Sequence, residues 1–450
     1  MTRNMDSDAD VARAPSSPPH PSHLPSSPFP PPSVDGSIPR ARILFIDHTA
    51  KMSGGEIALL NLVAGMDRSR FEVRVLVFAD GWMVTALKAA GVDVDVMPLS
   101  PKVLETRKDS LGMGTVTKIS TACRTAWFVL RMARYIRKYR PALVHTNSLK
   151  ADIIGGFAGR LAGVKVIWHI RDRISSDYLP ASVVYVFRKL CRIIPTCVVA
   201  NSLSTMETVK LPARRRGELI YSGANVTGGR VVYDGTPEAT SESAAPPAFP
   251  TIGLVGRITR WKGQHVFIRA AAEVLKAFPN ARFKIIGAPL FAEKAYEDEL
   301  HALVKTLGVE HAVEFTGFRT DISQLVSELQ ILAHASITGE PFGQVVIEGM
   351  IAGKPVVATR GGGIPEIVVD GVTGILVPMG DSDAMAAGIS RLLGDPHLAA
   401  RMGRAGYARV LERFTIQHTI HRVELLYSDL LHPAFNRKSA AAPTNLLLIR

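Results

Sequence analysis

Gly339-Glu340-Pro341-Phe342-Gly343-Gln344-Val345-Val346-Ile347-Glu348 is followed, after a helix-like run, by Lys354-Pro355-Val356-Val357-Ala358-Thr359 and then Gly361-Gly362-Gly363-Ile364-Pro365-Glu366. The order reads as turn, helix, short buried strand and glycine loop. Pro341 suits the start of a helix, and Gly343 lets main chain come close to a ligand. The first free amides of that helix, at Gly343, Gln344 and Val345, then point at an anion.

The spacing of the two glutamates separates two chemistries. Inside one helix, the interval from Glu340 to Glu348 would span about 12 Å of axis. The carboxyl pair of a retaining glycosidase sits roughly 5 Å apart. A better layout puts Glu340 ahead of the helix facing a sugar and Glu348 within it facing a ribose, with phosphate at the helix N-terminus between them. Two solvated glutamates on an amphipathic helix are the plainer alternative, and the surrounding run of glycines and prolines weighs against it.

The string resembles the Glu-x7-Glu signature of retaining glycosyltransferases of the GT-B fold, the family 4-like group that includes sucrose synthases and bacterial mannosyltransferases. The resemblance runs from about Ala41 to about Leu431 and is strongest from Thr251 to Pro378. It implies an α/β protein of two Rossmann-like, doubly wound domains facing across a cleft, with the last helix crossing back to the first domain.

Organisation along the chain agrees with that expectation. Apolar runs at Ile43–Asp47, Val73–Phe78, Val94–Leu99, Ala142–Thr146, Val164–Ile170 and Cys197–Asn201 read as buried strands, with helical segments such as Glu56–Met66, Ala122–Tyr139 and Ala151–Ala162 between them. A second series runs through Ile252–Gly256, Phe283–Gly287, Val313–Thr316, Ile331–His334, Val356–Thr359 and Ile375–Val377. Such alternation predicts two mostly parallel sheets. The boundaries expected are a Pro- and Ser-rich disordered tail over residues 1–39, a first domain over 40–235, a linker over 236–250, a second domain over 251–414, a crossing helix over 415–431 and a loose tail over 436–450.

Composition narrows the class. Hydrophobic content of 47% and charged content of 21% suit a globular α/β chain of 450 residues. Three cysteines without a Cys-x-x-Cys pair argue against a disulfide or zinc framework. No apolar run reaches the roughly 18 residues of a membrane span, and the opening residues lack the apolar segment of a secretory signal. The net charge of +13 is unevenly placed: Arg40 to Gly235 holds thirty Lys and Arg against fifteen Asp and Glu.

Other motifs sit where ligands bind in such folds. Gly256-Arg257-Ile258-Thr259-Arg260-Trp261-Lys262-Gly263 follows the first strand of the second series, so Arg257 and Lys262 can neutralise a diphosphate. Ser53-Gly54-Gly55-Glu56 follows the first strand of all and opens a helix. It is not a Gly-x-Gly-x-x-Gly fingerprint, and a plain tight turn is its bland alternative. His145, in Val144-His145-Thr146-Asn147, and His169, in Trp168-His169-Ile170-Arg171, stand at predicted strand ends facing the cleft.

From the resemblance come the roles. Catalytic residues would be Glu340, Arg257, Lys262 and His169. The donor would be held by Gly54, Gly55, Gly343, Gln344, Val345 and Glu348. Position alone, rather than the resemblance, makes His145, Asn147 and Arg171 the acceptor-side candidates, with a structural hydrogen-bonding role the alternative for His145. Gln344 and Arg360 align near the sugar. No resident cofactor and no metal are implied. The expected partners are a UDP- or GDP-linked sugar and an acceptor hydroxyl on a saccharide or lipid, as in polysaccharide, glycolipid or cell-envelope assembly. The basic first domain and the cationic helix near Trp127 suggest contact with an anionic membrane; no nucleic-acid recognition module is evident. The expected location is the cytoplasm, with a peripheral position on the inner face of the plasma membrane as the alternative to a freely dissolved one. An epimerase of the same fold and a silent nucleotide-sugar-binding protein are the rival readings.

Overall fold

The computed structural model describes residues 40–99, 115–227, 230–231, 249–289 and 293–431. The expected tails at 1–39 and 436–450, and almost all of the expected linker at 236–250, lie outside the described residues. Both sheets belong to one compact unit that begins at Arg40.

The first sheet is built from β1 (Ala41–Asp47), β2 (Phe71–Val77), β3 (Asp93–Val96), β4 (Leu143–Thr146), β5 (Lys165–Ile170), β6 (Cys197–Ala200) and β7 (Gly217–Leu219). Two very short strands, β8 (Val226–Thr227) and β9 (Arg230–Val231), pair with each other. The second sheet comprises β10 (Thr251–Val255), β11 (Arg282–Ile286), β12 (Val313–Gly317), β13 (Ile331–His334), β14 (Val356–Thr359) and β15 (Gly374–Val377). Strand orders are β3-β2-β1-β4-β5-β6-β7 and β12-β11-β10-β13-β14-β15. The pairings within both sheets are parallel.

The continuous apolar runs follow from burial on both faces, since helices cover each side of a parallel sheet. Alternation along β1 shows this directly. Ile43 and Phe45 join a core with Leu59, Leu62 and Val63 of the helix Gly54–Gly65, whereas Leu44 and Ile46 join the opposite core with Phe128 and Met132. Val356 and Ala358 likewise face one core of the second sheet and Val357 the other.

The helix Ile416–Leu431 packs on the first sheet, as expected. Val423, Leu426, Tyr427 and Leu430 enter the core of Ile43 and Phe45. Polar contacts fix it: Arg70 Nη1 lies 3.2 Å from Glu424 Oε2, and Lys165 Nζ donates to the Leu430 carbonyl at 2.5 Å.

In each sheet the strand order reverses beside the first strand, between β1 and β4 and between β10 and β13. Crevices at the carboxyl ends of such neighbours are where doubly wound sheets bind ligands. The chain leaves β1 at Asp47, β4 at Thr146, β10 at Val255 and β13 at His334, and these four exits frame the candidate site.

Candidate functional site

Glycines bring the second sheet's loops together. Gly263 has φ 72°, and a Cβ there would lie 1.9 Å from the Ala335 carbonyl oxygen. The loop after β10 thereby presses on the loop after β13, and Ile337 donates its amide to the Trp261 carbonyl at 2.9 Å. Gly362, with φ 62°, plays the same part from the far side, where a Cβ would fall 1.9 Å from the Glu340 carbonyl oxygen. Gly363 donates its amide to that oxygen at 2.9 Å. Only glycine fits these two approaches.

Between the loops, Lys262 Nζ contacts both carboxylate oxygens of Glu340, at 3.0 and 2.9 Å. Ser336 Oγ donates to Glu340 Oε2 at 3.0 Å and His334 Nε2 lies 3.3 Å from the same oxygen. Burial alone raises the Glu340 pKa, but the Lys262 charge and the bonds from His334 and Lys262 outweigh it, leaving the carboxyl well below the usual range. Glu340 is therefore a buried, ionised acceptor, 9% exposed. Sequence reasoning does not single out His334 and Ser336, although the signal is there: His334 ends the strand at the switch point and Ser336 follows it.

Arg257 opens the same loop, its Nε 3.6 Å from Glu293 Oε2. The helix expected after Glu340 begins at Gln344, with Gly343 (φ 122°) as its N-cap. Glu348 lies inside it and is buried. Pro341 does not start that helix. It stands in the preceding turn, where its carbonyl accepts from Ser202 Oγ at 2.5 Å and Thr205 Oγ1 at 3.0 Å. Arg360 is also placed differently, since its guanidinium pairs with Asp370 on the surface.

From the first sheet, Gly54 and Gly55, the first residues of the helix Gly54–Gly65, face the polar ends of β1, β4 and β5. Asn147 Nδ2 donates to Asp47 Oδ2 at 2.6 Å and to the Gly55 carbonyl at 3.2 Å. Arg171 donates from Nε to Asn147 Oδ1 and from Nη1 to Ser222 Oγ, both at 2.7 Å. Its Cδ lies 3.6 Å from where a Gly55 Cβ would stand. Burial pushes the Arg171 pKa down to about 10, opposed by Asp47, Glu56 and Asp152. Glu56 is pushed up to about 8 by burial and by the Asp47 charge.

Both histidines are fully buried. His145 is fully buried beneath the helix Ile416–Leu431, with Nδ1 2.5 Å from the Tyr427 hydroxyl and its ring stacked 4.8 Å from Phe45. Its Nε2 meets His169 Nδ1 at 3.1 Å, and His169 is fully buried too. Burial first, then the Arg171 charge, lowers both pKa values, to about 3 for His145, so both rings are neutral. His145 and His169 are the last-but-one residues of β4 and β5, on the side that faces the core, whereas Asn147 and Arg171, two positions on, lie past the strand ends.

The two halves meet at the site. Arg173 contacts Gly339, next to Glu340, where a Cβ would stand 2.8 Å from its Cζ. Tyr178 sets its ring edge-on to Trp261 at 6.2 Å, and its hydroxyl donates to Asp172 at 2.7 Å. A separate surface hollow lies at the opposite, amino end of the second sheet, lined by Thr251, Arg282, Lys284 and Glu314. No group of three or more His, Cys, Asp or Glu able to hold a metal occurs among the described residues.

Comparison with known proteins agrees with this geometry. Residues 236–409 match the family model of glycosyl transferases group 1, and residues 53–209 match the glycosyl transferase 4-like domain. A D-inositol 3-phosphate glycosyltransferase of Corynebacterium diphtheriae is 33% identical over 219 residues, 47% of this chain and 50% of that one. A lipopolysaccharide core biosynthesis glycosyltransferase, LpsE of Rhizobium meliloti, is 28% identical over 219 residues, 49% of this chain and 60% of that one. The chain thus spans about half the length of the curated relatives it matches. The crystal structure of Anabaena HepE in complex with UDP and glucose superposes with a TM-score of 0.72 at 28% identity, covering 87% of this chain and 100% of that one. Sucrose-phosphate synthase of Thermosynechococcus elongatus, at 20% identity and a TM-score of 0.65, shares the fold. With two doubly wound sheets of one strand order and matches across both halves, the chain has the GT-B fold, its second half matching the glycosyl transferases group 1 and its first half the glycosyl transferase 4-like domain.

Proposed function

We propose that the protein transfers a sugar from a UDP- or GDP-linked donor to an acceptor hydroxyl, with retention at the anomeric carbon. One observation carries the reading: Lys262 and Glu340 meet at the second sheet's switch point, beside Arg257 and the N-terminus of the helix Gln344–Ile351. A cation, an ionised carboxylate and free helix amides are the set that a diphosphate-linked sugar requires.

In this reading Arg257 and Lys262 hold the diphosphate, helped by the amides of Gly343, Gln344 and Val345. Glu348 bonds the ribose, and Glu340 accepts from hydroxyls of the transferred sugar. As the sugar–phosphate bond breaks, negative charge grows on the departing oxygen, and the two cations stabilise it. The acceptor oxygen approaches on the same face, and the leaving phosphate takes its proton. Such a reaction needs positioning and charge stabilisation, with no protein carboxylate as nucleophile and no resident metal. On the acceptor side, Arg171 rather than His169 reaches the helix start at Gly54 and Gly55, and Asn147 orients it. The polysaccharide, glycolipid or envelope role of the acceptor belongs to the same proposal. So does an intracellular site of action.

HepE, whose complexes contain UDP, glucose or UDP-glucose, supports UDP-glucose as the first donor to test. Purified protein is incubated with UDP- and GDP-sugars, with and without lipid or saccharide acceptors, while nucleotide release is followed. Acceptor-stimulated release of UDP or GDP is expected. Epimerised donor without acceptor would identify an isomerase, and tight donor binding without turnover would identify a binding protein.

A further inference from the structure

Three helices of the first half lie on one face of its sheet: Thr115–Tyr139, Leu149–Leu161 and Ala181–Cys191. Their inner sides share a single apolar core, with Phe128 and Met132 from the first, Ile154 and Ala158 from the second, and Val184 and Phe187 from the third. They adjoin one another directly. The Arg137 guanidinium donates to the Leu161 carbonyl, and a side chain at Gly156 would stand 3.0 Å from Ile194, just beyond the third helix.

Their outer sides form parallel stripes. On the first helix Trp127, Leu130, Arg131, Arg134 and Lys138 are exposed at helical spacing. Phe157, Arg160 and Leu161 do the same on the second, and Tyr185, Val186, Lys189 and Ile193 on and just past the third. The apolar members are large and open to solvent, with Trp127 59% exposed, Tyr185 64% and Ile193 68%. Cations sit beside the aromatic rings: Arg131 lies 5.8 Å from the Trp127 ring centre and Lys189 5.5 Å from that of Tyr185.

Charge on these stripes has one sign. Among the residues of the three helices the only acid is Asp152, and it is fully buried. An ordinary solvated surface interleaves both signs and scatters its apolar side chains singly. Here bulky apolar groups and unopposed cations share three adjoining faces.

We propose that this three-helix face docks on an anionic lipid bilayer. Lys and Arg meet the headgroups, Trp127 and Tyr185 suit the interfacial layer, and Leu130, Phe157, Leu161 and Ile193 enter the acyl boundary. None of the helices among the described residues is long and apolar enough to cross a membrane, so the contact lies on the surface. A nucleic-acid phosphate backbone would match the cations but leave the aliphatic side chains without a partner. This inference rests on a surface outside the sugar site and stands independently of the transfer reaction.

The test is co-sedimentation of the full chain with phosphatidylcholine vesicles with and without phosphatidylglycerol, at low and high salt. Binding is expected only with phosphatidylglycerol and should weaken with salt. The triple variant R131E/R134E/K189E should lose at least about tenfold in bound fraction, while its circular dichroism and UDP or GDP binding stay unchanged. Vesicle addition should blue-shift tryptophan emission in the parent and not in Trp127→Phe. Equal binding to pure phosphatidylcholine, no binding to either vesicle, or an unaffected triple variant overturns the proposal. So does a stable dimer that the triple variant dissociates, or tighter binding to single-stranded nucleic acid than to the anionic vesicles. Vesicle binding by a protein that ignores every nucleotide sugar would sink the transfer reading and leave this one standing.

Discussion

At the residue scale, the pair Lys262–Glu340 carries the proposed chemistry and an energetic cost. Each side chain is mostly buried, so removing one strands the other. Lys262→Ala is expected to cut turnover by at least about a hundredfold through loss of charge at the departing phosphate. It should also lower stability by roughly 1–3 kcal/mol, because Glu340 keeps its charge without its cation. Adding Glu340→Gln should restore much of the melting temperature and none of the turnover; recovery of turnover would remove Lys262 from the reaction. Glu56 offers a second test. Its unfolded carboxyl ionises near 4.5, whereas the folded one keeps its proton up to about 8 through burial and the neighbouring Asp47. Between those values the unfolded state has released a proton that the folded state retains, so stability falls as pH rises. From pH 5 to pH 8 the parent should lose at least about 1 kcal/mol more than Glu56→Gln in denaturant titrations. Identical pH profiles would show that Glu56 is not held protonated.

At the scale of elements, the turn and glycine loop around Glu340 join the two halves as well as shape a pocket. Glu366, in the short helix Ile364–Ile367, accepts from the amides of Leu203 at 2.7 Å and Ser204 at 2.9 Å, at the start of the helix Leu203–Val209. The Pro341 carbonyl accepts from Ser202 and Thr205 of the same segment, and Tyr221 stacks on Phe342 at 5.9 Å. The motif that places Glu340 therefore also ties the second half of the chain to the first. Glu366→Ala should release two amides and loosen this junction, with a larger radius of gyration in small-angle scattering. The KM for the acceptor should rise several-fold, with UDP binding little changed. An unchanged scattering profile and unchanged KM would assign Glu366 to local packing alone.

At the scale of the whole molecule, the last helix completes the first sheet's core from the far end of the chain. Burial of Leu426, Tyr427 and Leu430 contributes roughly 1.5–3 kcal/mol per side chain. Tyr427 also bonds His145, which in turn meets His169, so one polar chain runs through that core. Tyr427→Phe should cost about 1–2 kcal/mol in urea unfolding by leaving the imidazole pair short of a partner. Truncation before Ile416 should expose the face of Phe45 and Leu59 and give aggregation or loss of cooperative unfolding. A truncated chain that melts like the parent would show the helix to be an accessory.

Residue order alone determined the two-sheet architecture, because parallel strands buried on both faces must be apolar runs and their covering helices must alternate with them. Glu340, Lys262, Arg257 and Gly343 were legible for the same reason, since loops after strands announce themselves by glycine and charge. The strand β7, with its partly exposed Gly-Glu-Leu sequence, carried no such signal and was not read. Only the tertiary structure decided that His145 and His169 belong to the core, that Arg171 and Asn147 reach Gly55 at the start of the first helix, and that His334 and Ser336 contact Glu340. Those outcomes depend on where each strand ends and on which distant helix covers it. Local sequence does not encode a contact between residues hundreds of positions apart; packing does.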